Sequence, residues 1–363
     1  MEKTAGKQRQ SNLELLRIVA MLLIVALHYA KFAFVIPEDE PVSSNTLLLN
    51  FLAFGGRMSV DLFVLISGYF KVNQCFRGPK AIKLWLQTFC ALVVVGTLLY
   101  IFDRTPLAEL KSALQYILTE NYWFISTYFV LYLLSDFINA MIFAVSRERL
   151  RLLIWSMLVI VSILPTFLGI RLAPSNLFLF VTMYLIGAYI RIFSPKIFEA
   201  KCCLLLGIAL HWLCCAASCV MILLGGRYPV LTVIAKRLPT MTDSTLILSA
   251  VLIFSGFKNM NIKNSRVINA LAASAFGVYL LHFNPFAIEC VWHRLFNTQN
   301  YLHSPQLLLN ALAAIPAMYL LCTLIDMLYR RIIEKPVMAF VDKHWDGWHE
   351  AFTRAFREFW PEE

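Results

Sequence analysis

The chain has 363 residues, 60% of them hydrophobic and 15% charged, with a mean hydropathy of +0.69. Soluble domains are about 45–50% apolar and about 25% charged, so this composition excludes an ordinary water-soluble globule and points to lipid as the solvent. The net charge of +10 does not indicate a nucleic-acid partner, because the basic residues stand in short clusters between apolar runs, as in the loops on one side of a membrane.

A helix needs about 20 apolar residues to cross the hydrocarbon core, and backbone groups there must bond internally. The apolar runs predict an all-α polytopic protein of about ten spans, at 13–35, 48–70, 82–102, 122–145, 151–170, 176–193, 203–224, 243–257, 267–288 and 306–329. Met1 to Gln10 is polar and basic, and the first apolar run is long and lacks a small-residue cleavage site, so it reads as a retained span rather than a signal peptide. With the N-terminus inside, 22 Lys and Arg fall on the cytoplasmic side against 8 outside, which puts both termini in the cytoplasm of a cell inner membrane. Residues 1–336 form one membrane domain. In the remaining 337–363, Phe340, Trp345, Trp348, Phe352, Phe356 and Trp360 recur at near-helical spacing among charges. That pattern fits an interfacial helix or, more sharply, a docking surface for a partner.

The nine Cys lie mostly inside apolar runs, where a thiol is a small packing residue. An odd number gives no complete disulfide framework. His211 with Cys214 and Cys215 is the one weak ligand set, and no metal is expected.

Ionisable side chains inside spans are costly, roughly 2.5–3.5 kcal/mol at the centre, and so become the functional candidates. The first span carries Glu14, Arg17 and His28. Eleven steps of 100° bring Arg17 and His28 to within about 20° of one face, roughly 16 Å apart along the axis: a fixed cation near the inner surface and an imidazole in the outer half. By spacing alone, Arg17 also fits a snorkelling anchor and His28 an interhelical hydrogen bond. In the second span Arg57 and Asp61 are four apart and able to pair, and Ser67-Gly68 permits close helix approach. In the ninth span His282, in Tyr279-Leu280-Leu281-His282 ahead of Asn284-Pro285, falls at the depth of His28, and Pro285 weakens the helix beyond it. The fourth span opens with Asn121-Tyr122-Trp123-Phe124, either an aromatic belt or a stacking platform for a sugar.

These residues resemble the integral-membrane acyltransferase type 3 family. The likeness lies in Arg17 through ten residues to His28, in Val60 to Phe70 with its Ser67-Gly68-Tyr69 ending, in Tyr122-Trp123-Phe124, and in the late Tyr279 to His282. It runs through all the predicted spans. Glu14 stands where many members have Asp, Ile18 where many have Gly, and Lys71 and Arg77 follow where many carry an Arg pair. The resemblance implies a transmembrane O-acyltransferase that takes an acyl group, acetyl above all, from cytoplasmic acyl-CoA. The acceptor is a hydroxyl of an extracytoplasmic or lipid-linked glycan. It implies His28 as the catalytic residue; Asp61, Arg57 or His282 is then placed to orient it or stabilise an oxyanion. Arg17 then binds CoA phosphates, joined at the donor site by Glu14, Arg57, Ser67, Lys71 and Arg77, with Lys80 and Lys83 as further cations. Trp123, Tyr122 and Asn284 face the acceptor. A transporter or flippase of a polar or lipid-linked substrate needs the same buried charges without a thioester, although no internal symmetry of the kind such proteins carry is visible. A membrane sensor with the aromatic tail as output is a third class. The acceptor, the acyl chain and the oligomeric state, a homo-oligomer included, stay open.

Overall fold

The computed structural model describes residues 9–37, 40–103, 122–172, 176–237, 240, 242–284, 288 and 290–359. Lys3, Lys7, Glu38, Asp39, Arg104, Lys111, Asn121, Pro285 and Trp360 lie outside them. Everything regular among the described residues is helical. In chain order the helices are α1 (Ser11–Phe32), α2 (Ser44–Lys71), α3 (Gly78–Asp103), α4 (Trp123–Ala144), α5 (Arg147–Leu158), α6 (Asn176–Phe193), α7 (Cys203–Gly225), α8 (Pro229–Arg237), α9 (Ser244–Asn259), α10 (Arg266–Ala272), α11 (Ala275–His282), α12 (Leu307–Tyr329) and α13 (Lys335–Phe359).

Their starts follow local chemistry. Ser43 and Thr46 form a reciprocal capping box at α2, which satisfies two of the donors every helix leaves open at its first turn. Asp243 accepts the backbone N–H groups of Thr245 and Leu246 at α9. Beyond Leu158, α5 loosens into a π-helix, Val159–Leu168, around Pro165, and stops at Gly169 with φ 69°. Proline cannot donate to the ladder, and glycine takes the left-handed stop without a Cβ clash.

Eight of the described helices are long and apolar enough to cross a membrane. They include α1 through α7 in whole or part, α5 together with its π-helical extension, and α12 running on into α13. The eighth and ninth predicted spans fall on shorter apolar helices, α9 and the α10–α11 pair. The ninth breaks at Ala273 and Ser274, between α10 and α11, where Arg330 from the end of α12 donates to Ser274 Oγ at 2.7 Å. A short helix that hydropathy did not separate, α8, follows α7.

Burial sorts the helices into a centre and a rim. In α1 and α2, 67% and 72% of the span is buried, against 17% in α7. α1 packs on α2 and on α9 through α12, so the helix carrying Arg17 and His28 sits in the middle. The rim helices turn Phe137, Leu205, Leu213, Leu309 and Leu324 outward, where lipid chains satisfy them. With lipid offering apolar contact everywhere, helices hold together through close van der Waals fit. Gly68 and Gly187 show it in reciprocal form: a Cβ on Gly68 would press into the backbone of Tyr184, 2.8 Å from its Cα, and one on Gly187 would stand 3.0 Å from the Tyr69 amide. The close approach expected of Ser67-Gly68 is therefore the α2–α6 contact.

The chain continues from α12 through a single π turn, Arg330–Glu334, into α13. Trp345 of α13 covers Gly78 at the start of α3. Phe340, His344 and Trp348 stack in a row along α13, with Phe340 and Trp348 exposed.

Candidate active site

A cavity of about 790 Å3 runs alongside α1. One end is lined by Arg9, Arg17, Lys80, Lys83 and Arg330, and the other by His28, Lys31, Arg57, Trp123, Phe124 and Phe283. A second chamber of about 510 Å3 shares Arg9, Arg17, Ser67, Lys80, Tyr128 and Tyr132 with the first, and adds Glu14, Lys71 and Arg191. The two chambers thus share a basic mouth, from which the larger leads to an aromatic interior.

At the interior end two imidazoles meet. His28 Nδ1 lies 2.8 Å from His282 Nε2, and His282 Nδ1 lies 2.6 Å from the Val278 carbonyl oxygen. A carbonyl only accepts, so the proton of His282 sits on Nδ1. A neutral His282 then offers a bare Nε2, which accepts from His28 Nδ1–H. The remaining His28 nitrogen, Nε2, is left with its lone pair. Phe283 stacks on the His28 ring at 4.2 Å between centroids, and Phe32 meets it edge-on. Both histidines are buried.

The mouth has the opposite chemistry. Arg17 pairs with Glu14 at 2.9 Å and lies over the Phe70 ring. Lys83 pairs with Glu334 at 2.7 Å, and Arg330 with Asp326 at 2.8 Å. Asp326 also accepts from Gln87. Lys71 sits 3.6 Å from Asp136 and over Tyr132. Lys80 donates to Gln74, and Arg9 to the Asn269 carbonyl. Carboxylates thus hold four cations of the mouth in place while their charge still faces the cavity.

Several of the residues singled out from sequence line this space: His28, Arg17, Arg57, Ser67 and Trp123 in the larger cavity, and Glu14, Ser67 and Lys71 in the second chamber. Ser67 also bridges Phe63 O and the Tyr128 hydroxyl. His282 stands directly behind His28. Tyr122 is one step removed: its hydroxyl donates to the Phe283 carbonyl at 3.2 Å, bracing the ring that stacks on His28. Asn284 is buried away from the cavity, with its amide donating to Ala91 O of α3. Arg77 faces a separate cleft between the start of α3 and α13, with Asp342, Trp345 and Asp346.

One expectation is overturned. Arg57 and Asp61 do not pair: Arg57 lines the cavity, while both carboxylate oxygens of Asp61 are buried without a hydrogen-bond partner. Four residues advance a helix by about 40° beyond a full turn, enough here to turn one side chain to the cavity and the other into the packed interior. Sequence reasoning missed Lys31, Arg9, Arg191, Arg330, Tyr128 and Phe283 as lining residues. Lys31 had a readable signal, since it lies three residues after His28 and hence on the same face. Arg330 and Phe283 had none, being placed by the π turn and by the helix end at His282. His211 packs edge-on against Phe54, and no three His, Cys, Asp or Glu converge as metal ligands among the described residues.

A buried histidine pair thus stands at one end of a cavity, and a basic mouth at the other, inside a polytopic helical bundle. A family model described as an acyltransferase domain matches residues 10–327. The chain belongs to that family and is a membrane acyltransferase. Neither a curated protein nor a solved structure matches it.

Proposed function

We propose that the protein moves an acyl group, acetyl in the simplest case, from acyl-CoA bound at the basic mouth to a hydroxyl of a glycan or lipid-linked saccharide at the histidine end. The observation that carries this reading is the single cavity connecting Arg17 to His28. The eleven steps from one to the other span roughly 16 Å of α1, a distance the extended pantetheine arm of CoA can cover. The excess of Lys and Arg on the mouth side supports a cytoplasmic mouth, in a cell inner membrane.

In this reading Arg17, Arg9, Lys71, Lys80 and Arg330 surround the phosphates of CoA, the guanidinium groups offering paired donors. Glu14, Glu334 and Asp326 hold their arginine and lysine partners in register. The thioester carbonyl comes to rest beside His28. His28 Nε2 takes the proton of the acceptor hydroxyl as its oxygen attacks that carbonyl. The tetrahedral intermediate collapses with cleavage of the C–S bond, and the proton on Nε2 passes to the departing thiolate. His282 is a positioning residue: by accepting from Nδ1–H it stabilises the tautomer of His28 whose Nε2 is basic. Trp123 offers an indole face for an acceptor sugar ring.

The test is acetyl-CoA binding and acetyl transfer by the purified protein beside His28→Ala and Arg17→Ala. The expected result is turnover by the wild type, a loss of about 10^2- to 10^4-fold in His28→Ala with binding intact, and weaker binding in Arg17→Ala. Absence of binding and turnover with every short acyl-CoA would sink the acyl-CoA reading and make transport the next activity to assay. Trapping of an acylated His28 without acceptor would replace direct transfer by a two-step route.

A further inference from the structure

Past His28 the cavity holds two more cations. Lys31, in the last turn of α1, and Arg57 of α2 both line it, and Lys31 is an electrostatic neighbour of both His28 and Arg57. α1 rises from Arg17 to Lys31 over fourteen residues, and α2 descends from Arg57 to Lys71 over the same number. The two side chains thus leave their helices at one depth, roughly 21 Å from the mouth. Around them the wall is Phe32, Trp123, Phe124 and Phe283. Among the described residues lining the cavity the one carboxylate is Glu334, which is bound to Lys83 at the far end. Two like charges facing one aromatic space raise each other's energy, and cations at membrane depth mark the path of a charged ligand.

We infer that Lys31 and Arg57 form a subsite for an anionic group on the acceptor, a carboxylate or phosphate carried close to the hydroxyl that is acylated. The inference rests on the acyltransferase reading, because it takes the mouth to be filled by the donor and leaves the histidine end to the acceptor. The shared chemistry is a compact oxyanion next to an apolar or sugar surface. It has two sources, a uronic acid within a glycan and the phosphate of a lipid-linked sugar. A guanidinium and an ammonium suit both.

The experiment uses the full chain in nanodiscs and three probes that differ only in the anion: octyl β-glucoside, octyl β-glucuronide and octyl glucoside 6-phosphate. Their binding is measured for wild type, Lys31→Met and Arg57→Gln, with the melting temperature of each as the fold control and acetyl-CoA binding by the wild type as the check on the donor site. One charge-assisted contact corresponds to about tenfold or more in Kd. At least one anionic probe is therefore expected to bind about tenfold tighter than the neutral one, and both substitutions should collapse that preference. Preference for the glucuronide assigns the subsite to a uronic acid, and preference for the phosphate to a lipid-linked sugar. Equal binding of the three probes, or binding of none, overturns the subsite, as does a preference that survives both substitutions. Failure of the wild type to bind acetyl-CoA is a different result, and it strikes the acyltransferase reading itself. Dependence on Lys31 and Arg57 that appears only when acetyl-CoA is replaced by a dicarboxylic acyl-CoA moves the anion from acceptor to donor and overturns the acceptor assignment.

Discussion

The two ends of the cavity solve the problem of charge in a membrane differently. At the mouth each of four cations, Arg17, Lys71, Lys83 and Arg330, has its own carboxylate within 4 Å. At the interior end the polar groups are stacked in series, from a carbonyl to His282 to His28, inside a wall of aromatic rings. Each pair at the mouth is local, so the loss of one member disturbs that pair and leaves the protonation of the others in place. A serial chain is not local, because each link fixes the proton position of the next.

That contrast can be broken at its strongest point. Beyond the loss already expected of His28→Ala, His282→Arg presents only donors to His28. It should push the proton of His28 from Nδ1 to Nε2 and silence the base nearly as fully as removing it. His282→Gln keeps an acceptor oxygen and should retain most of the rate. Equal rates in the two variants of acetyl transfer would refute the tautomer argument, and equal melting temperatures would confirm that neither acts through folding.

The next effect in size is structural. Gly68→Val forces a branched side chain into the Tyr184 backbone, so overpacking of about 1–3 kcal/mol is expected, visible as a lower Tm and faster loss of the folded protein in detergent. An unchanged Tm would mean that α2 and α6 can part there at no cost.

At the mouth, Lys80→Met should weaken acetyl-CoA binding by about tenfold or less, read by titration, with kcat at saturation little altered. The smallest effect is expected of Arg77→Ala. This side chain faces α13 rather than the mouth, so donor affinity should stay within about twofold of wild type. A drop as large as that of Lys80→Met would show that Arg77 swings into the mouth when donor binds.

Much of this arrangement was legible in the sequence, and the reason is physical. Hydropathy locates spans because lipid tolerates little else, and equal depth along two helices predicts the meeting of His28 with His282 that the fold contains. What could not be read depends on rotation and on breaks. Arg57 and Asp61 look like a pair on a helical wheel, yet packing of α2 among its neighbours sends them to different surroundings. Asn284 and Tyr122 sit beside functional positions in sequence, but their hydrogen bonds to Ala91 and Phe283 make them supports of the wall. The break of the ninth span at Ser274 is met by Arg330, 56 residues later, a contact that no local pattern announces.

The uninterrupted run from Leu307 to Ala355 covers 49 residues. At 1.5 Å per residue that is about 74 Å of rod, against about 40–45 Å for a bilayer with its headgroups. Tyr29 anchors one end by donating to Asn310 at 2.6 Å, so the surplus of roughly 30 Å accumulates at the other. A straight rod would stand out of the membrane as a post beside the mouth. Lying flat along the headgroups instead requires a sharp elbow, and the π turn that carries Arg330 and Glu334 is where that elbow would fall.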